Sequence, residues 1–120
     1  MNNLYHYTSK QALKSIKEKG LLNVFGLIFF TTEETTEPSV DFRGMIEQGR
    51  VSVELTDEFE KVSDLLETNY ELLCQYFNPE LIHVTGADIN NWYVICRDVK
   101  TEEILNYEAE GEQGYEPVRL

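Results

Sequence analysis

The chain has little of what most enzyme chemistry uses. Among its 120 residues there are two cysteines, Cys74 and Cys96, and two histidines, His6 and His83. Two cysteines make no disulfide framework, and the expectation is a pair of reduced, buried thiols in a cytoplasmic protein. His83 stands apart from both cysteines in the sequence, and no set of ligands has zinc spacing, so no metal is expected. Apolar runs are short. None approaches the roughly 20 residues of a membrane span, and no basic-then-apolar leader pattern precedes Leu4. There is no Walker loop, no dinucleotide glycine fingerprint and no Gly-x-Ser-x-Gly elbow.

Positive charge is the scarcest commodity. Ten basic residues face 22 acidic ones, for a net charge of −12 and a pI near 4.4. Lys10, Lys14, Lys17 and Lys19 lie before residue 33 with Glu18 as the only acid there, so the excess of acid falls on the rest of the chain. Such a surface repels phosphate backbones, which argues against direct nucleic-acid binding. It suits solubility or a basic protein partner.

What is present suffices for one folded domain. Hydrophobic residues make up 42% of the chain and aromatics 12%, and a domain this size buries about two-thirds of its unfolded surface. The pattern along the chain is β-α-β-loop-β-α-β-β, an α+β domain. Residues 4–8 read as a strand and 9–19 as a helix with outward lysines. Leu27–Thr32 reads as a buried strand, and 33–49 as a long loop with Pro38, Gly44 and weak periodicity. Arg50–Leu55 alternates, Val51, Val53 and Leu55 against Arg50, Ser52 and Glu54. Helical spacing over 58–77 collects Phe59, Val62, Leu65, Leu66, Tyr70, Leu73 and Phe77, with Asp57 and Glu60 as its cap and Asn69 as a possible break. Residues 80–85 are a helical turn or a short strand, and Gly86–Asn91 is turn-like. Trp92–Arg97 reads as a strand, 103–108 as the last one. The domain is expected over 1–108, with a loosely ordered acidic tail over 109–120.

The most informative stretch is Leu4-Tyr5-His6-Tyr7-Thr8-Ser9, followed by the helix and by Gly20-Leu21-Leu22. In a strand, i and i+2 share a face, so His6 and Thr8 point one way and Tyr5 and Tyr7 the other. Thr8 and Gln11 fit a capping box. Ala12, Leu13 and Ile16 share a helical face, Gly20 suits a left-handed stop, and Leu21 is expected to fold back onto Ile16.

These residues resemble the first half of the ADP-ribosyltransferase-like fold. Leu-Tyr-His-Tyr-Thr-Ser, a helix, Gly-Leu-Leu, then an apolar strand ending Phe-Thr-Thr is similar to the opening of small bacterial and phage members. Similar openings occur in DNA-targeting ADP-ribosyltransferase toxins and RNA 2′-phosphotransferases. Gly86-Ala87-Asp88 leading to Trp92-Tyr93-Val94, then Val99 to Ile104, is loosely similar to the C-terminal strands of small members. The resemblance implies mixed or split sheets with flanking helices, NAD as substrate, and transfer of ADP-ribose to a protein. It implies that His6 hydrogen-bonds the nicotinamide-side ribose and that Thr8 lies near it. Tyr7 takes the position that is often glycine. Phe29 or Phe30, or Tyr7 itself, is the aromatic that stacks on nicotinamide, and Thr31 ends that strand. The acid that positions a ribose hydroxyl and favours an oxocarbenium-like transition state is Glu54, with Glu102 and Glu103 as weaker alternatives. Helix amides at Ser9, or Arg43 and Arg97, are the donors for pyrophosphate. The shortage of basic residues argues against the phosphotransferase activity.

A rival reading keeps the fold without the chemistry. In it the acidic surface docks a basic protein, as an inhibitor that mimics nucleic-acid charge does. A toxin or antitoxin component is also compatible with the sequence.

Overall fold

The computed structural model describes residues 2–23, 26–32, 49–75, 89–111 and 114–120. Among these, seven strands form one antiparallel sheet in the order β4-β5-β2-β1-β3-β6-β7. The strands are β1 (Asn3–Thr8), β2 (Ile28–Thr31), β3 (Gly49–Glu54), β4 (Glu60–Lys61), β5 (Trp92–Ile95), β6 (Ile104–Gly111) and β7 (Gly114–Pro117). Three helices flank them: α1 (Ala12–Lys19), α2 (Val62–Thr68) and α3 (Tyr70–Cys74). The expected α+β class is observed, but among the described residues the strands form one wholly antiparallel sheet rather than mixed or split sheets. Among the described residues no helix is long and apolar enough to cross a membrane.

The period-two alternation sorts side chains onto two faces. Leu4 lies opposite Val53, and His6 opposite Val51. With Ile28, Phe30 and Ile95 these residues form the face that α1 covers through Leu13 and Ile16. The other face carries Tyr5, Tyr7, Thr31, Arg50 and Ser52. At its β5 end, α2 buries Val62 and Leu65 against Leu27, Trp92 and Val94.

α1 starts later than its spacing predicts. Thr8 stays in the sheet opposite Gly49, so the chain turns through Ser9–Gln11 before it can coil. The Ser9 hydroxyl, not Thr8, accepts from the Ala12 amide at 3.2 Å, and Gln11 makes no side-chain cap bond. The stop falls at Gly20 as expected, with φ 79° and ψ −173° rather than a left-handed helical conformation, and its N–H donates to the Ile16 carbonyl. Leu21 then joins the same core as Ile16 and exchanges two 2.9 Å backbone bonds with Val99.

Three expectations need correction. The helix read from residue 58 begins at Val62, because Glu60 and Lys61 pair with Val94 and Tyr93 of β5. Phe59 consequently packs edge-on against Phe30, ring centroids 5.2 Å apart, on the α1 side rather than with the α2 stripe. Asn69 does divide the helical stretch, its amide donating to the Leu65 carbonyl. The acidic tail read from Ala109 is sheet: β6 runs on to Gly111 and β7 returns beside it, Ala109 opposite both Gly49 and Glu116. Cys74 and Cys96, expected buried, are exposed free thiols. Of the loop read over 33–49, Gly49 opens β3 and the rest lies outside the described residues, as does the segment 76–88, and with them Arg43, Phe77 and His83.

Candidate functional site

The sheet has one weak seam. β1 pairs with β3 along its whole length, and β2 with β5 along its whole length. Among the described residues β1 and β2 meet at one pair, Tyr5 opposite Thr31. A side chain also crosses between the two strands: His6 Nδ1 lies 2.8 Å from the Phe29 carbonyl oxygen. A carbonyl only accepts, so Nδ1 carries the hydrogen, and in the neutral ring Nε2 is the accepting atom. The imidazole is half-buried, and the Phe30 ring tilts against it at 5.5 Å. Among the described residues, the line between the two half-sheets, β4-β5-β2 and β1-β3-β6-β7, is crossed by that backbone pair and by the His6–Phe29 bond.

The register decides which expected residues can act together. His6, Thr8 and Phe30 share the α1 face. Tyr7, Thr31 and Glu54 lie on the opposite one. His6 is opposite Val51, and an odd step along β3 separates Val51 from Glu54. Glu54 is exposed, opposite Asn3 at the strand end. The structure therefore does not bring His6 and Glu54 together. Thr8 lies opposite Gly49, two residues beyond His6 on the same face.

The other expected donors and acids have internal partners. Arg97 donates to both carboxylate oxygens of Glu103, at 2.9 and 2.7 Å, to Glu58, and to the Asp98 carbonyl at 2.8 Å. This knot ties the end of β5 to the turn before β6, and it engages the guanidinium expected to hold pyrophosphate. In the first turn of α1, the Ala12 and Leu13 amides donate to the Ser9 and Lys10 carbonyls. Glu102 is exposed beside the Thr101 hydroxyl.

Arg97 holds the Glu103 carboxyl down at about 2, against an ordinary 4.5. A depressed carboxyl stabilises the fold above its unfolded value and ceases to do so as pH falls toward its folded value. Glu103→Gln is therefore expected to flatten the decline in melting temperature between pH 4.5 and 2. Melting curves of the two proteins across that window check this. The pair is partly exposed, so the gain at neutral pH is modest.

A second constellation, on the opposite face, escapes a reading of local pattern. The Arg50 guanidinium lies between the Tyr5 and Tyr115 rings, 4.5 Å from each centroid. Its Nε donates to Glu108 at 3.0 Å, and its Nη1 reaches the Tyr7 hydroxyl at 3.4 Å. Tyr115 also meets Tyr7 edge-on at 5.7 Å. Both Arg50 and Tyr7 are buried. Burial raises the Tyr7 phenol well above its ordinary range, so it stays neutral. Burial opposes the Arg50 charge, but Tyr7 and Glu108 outweigh it and raise the guanidinium further. Pairing Tyr5 and Tyr7 with the polar side of Arg50-Ser52-Glu54 would have hinted at this cluster. Its partners Glu108 and Tyr115 come from the stretch at and beyond the expected domain end.

Compared with family models and with curated proteins, the chain matches none.

Proposed function

We propose that this domain binds NAD at the seam between β1 and β2, in the manner of the ADP-ribosyltransferase-like family it resembles. The observation that carries the reading is the His6–Phe29 bond, which sets a strand-one histidine in the parting of two half-sheets. With Nδ1 committed to a carbonyl, the neutral ring accepts through Nε2, which is the chemistry a ribose hydroxyl requires. Thr8 adds a hydroxyl on the same face. Phe30, 2% exposed in the core, backs the imidazole from beneath rather than offering a face to nicotinamide.

The same geometry supports binding more directly than transfer. ADP-ribose transfer to a protein is the reaction this reading implies, and it calls for an acid beside the ribose. Glu54 lies on the far face and Glu103 is paired with Arg97, so neither serves beside His6.

Calorimetry with NAD on the wild type and on His6→Ala tests the proposal. The wild type is expected to bind, and the variant to lose at least about tenfold in affinity, the 1.4 kcal/mol of one good hydrogen bond, with its melting curve retained. Wild-type protein that takes up no NAD, or a variant that binds equally well, overturns it.

A second reading is supported by the surface. Asp57, Glu58, Glu60, Asp64, Glu67 and Glu71 are all exposed along β4, α2 and α3 and the turn before them. On this view the domain docks a basic protein. Affinity that falls steeply between low and high salt fits it, and affinity indifferent to salt counts against it.

A further inference from the structure

The Arg50 cluster and the His6 seam lie on opposite faces of the same strand. Tyr5 and Tyr7 flank His6 in the chain, and both are gripped from behind by one guanidinium: Tyr5 through its ring, Tyr7 through its hydroxyl. Arg50 is itself opposite Tyr7 in the β1–β3 ladder. Glu108 of β6 holds its Nε, and Tyr115 of β7 closes over it. Four strands therefore converge on this side chain. All four belong to the half-sheet β1-β3-β6-β7, whereas His6 reaches across the seam to Phe29 of the other half.

Three features set this arrangement apart from an ordinary buried ion pair. A guanidinium between two aromatic rings is fixed in plane as well as in position, which lysine does not reproduce. Its two tyrosine contacts bracket a single residue, and that residue is the one whose side chain bridges the seam. Finally, among the described residues β1 has one backbone pair with β2 and a full six-residue ladder with β3, the strand that carries Arg50.

We infer that Arg50 is the positioning residue of the seam: by clamping Tyr5 and Tyr7 onto β3, β6 and β7 it sets the pitch of β1 that delivers the His6 imidazole to the Phe29 carbonyl. Its role for NAD rests on the binding reading above. Its role for His6 does not. The clamp acts through backbone geometry and touches no ligand.

The readout is the nitrogen NMR signature of the His6 ring, recorded where the imidazole is neutral. The wild type is expected to show the single tautomer with hydrogen on Nδ1. Arg50→Lys and Tyr7→Phe are expected to shift it toward a mixture of both tautomers, as the ring loses its fixed distance to the carbonyl. NAD affinity should weaken about tenfold in the same variants, the scale of one well-placed hydrogen bond lost. Glu103→Gln, which breaks the Arg97 knot at the turn before β6, is the control for lowered stability alone, and its His6 signature should match the wild type. Should Arg50→Lys fail to fold, Tyr7→Phe decides the matter. A wild-type signature in Tyr7→Phe and Arg50→Lys, or an equal disturbance in Glu103→Gln, overturns the inference. If the wild type takes up no NAD, the binding reading fails, while the tautomer comparison still decides the role of Arg50.

Discussion

Gly20→Ala is expected to destabilise the domain by roughly 3 kcal/mol, a large share of the 5–15 kcal/mol typical of a whole domain. Two costs combine. Gly20 has φ 79° and ψ −173°, a positive-φ extended conformation that is essentially glycine's alone and costs another residue roughly 1–3 kcal/mol. A Cβ there would also stand 2.3 Å from the Val99 carbonyl oxygen, which is backbone and cannot swing aside. That carbonyl accepts from the Leu21 amide, and Val99 returns the bond to the Leu21 carbonyl. Relieving the clash breaks the bridge, about 1 kcal/mol for each bond. The substitution would also lift Leu21 out of the core that it shares with Ile16 and Val99. Urea unfolding of the variant checks this. A change below about 0.5 kcal/mol would show that the bridge does not hold the end of α1.

Leu4→Ala is expected to cost about 2–5 kcal/mol, the range for a leucine removed from a packed core. Leu4 is fully buried in the central strand β1, opposite Val53 and within the cluster that includes Leu13, Ile28 and Phe30. Among the described residues β1 has one backbone pair with β2, and apolar packing across the α1 face also holds the half-sheets together. The loss should appear in both the denaturant midpoint and NAD affinity, because β1 carries His6. A variant with near-wild-type stability would mean that the site has collapsed around the smaller side chain.

Local order was largely legible in the sequence. β1 and α1 follow from spacing and from Gly20, and Asn69 breaks the helical stretch as its side chain suggests. The errors arise where distant residues compete with local pattern. Phe59 fits the apolar stripe of a helix, yet Glu60 and Lys61 are recruited by β5, and Phe59 turns to the opposite face to meet Phe30. The acidic, glycine-containing end resembles a tail when read alone. It becomes sheet because Tyr115 finds Arg50 and Tyr7, and because Ala109 is small enough to lie buried opposite Gly49. Both contacts join residues far apart in the chain, which no periodicity reveals.

The candidate site was legible in part. His6 and Thr8 share a face, as alternation requires, and Phe30 joins them across the seam. Glu54 could not be placed without the register of β3 on β1, where a single step moves a side chain to the other face. Arg50 was hidden for a related reason. In the sequence it is one polar residue in an alternating strand, and its meaning depends on four strands meeting over it.

The most direct test of the central claim is a titration of isotope-labelled protein with NAD, followed by NMR. The account predicts saturable shifts centred on the His6 ring, on the amides of residues 5–8 and on those of residues 28–31, on both sides of the seam. Shifts that are absent, or that gather on the outward lysines of α1 and leave His6 unmoved, would contradict it.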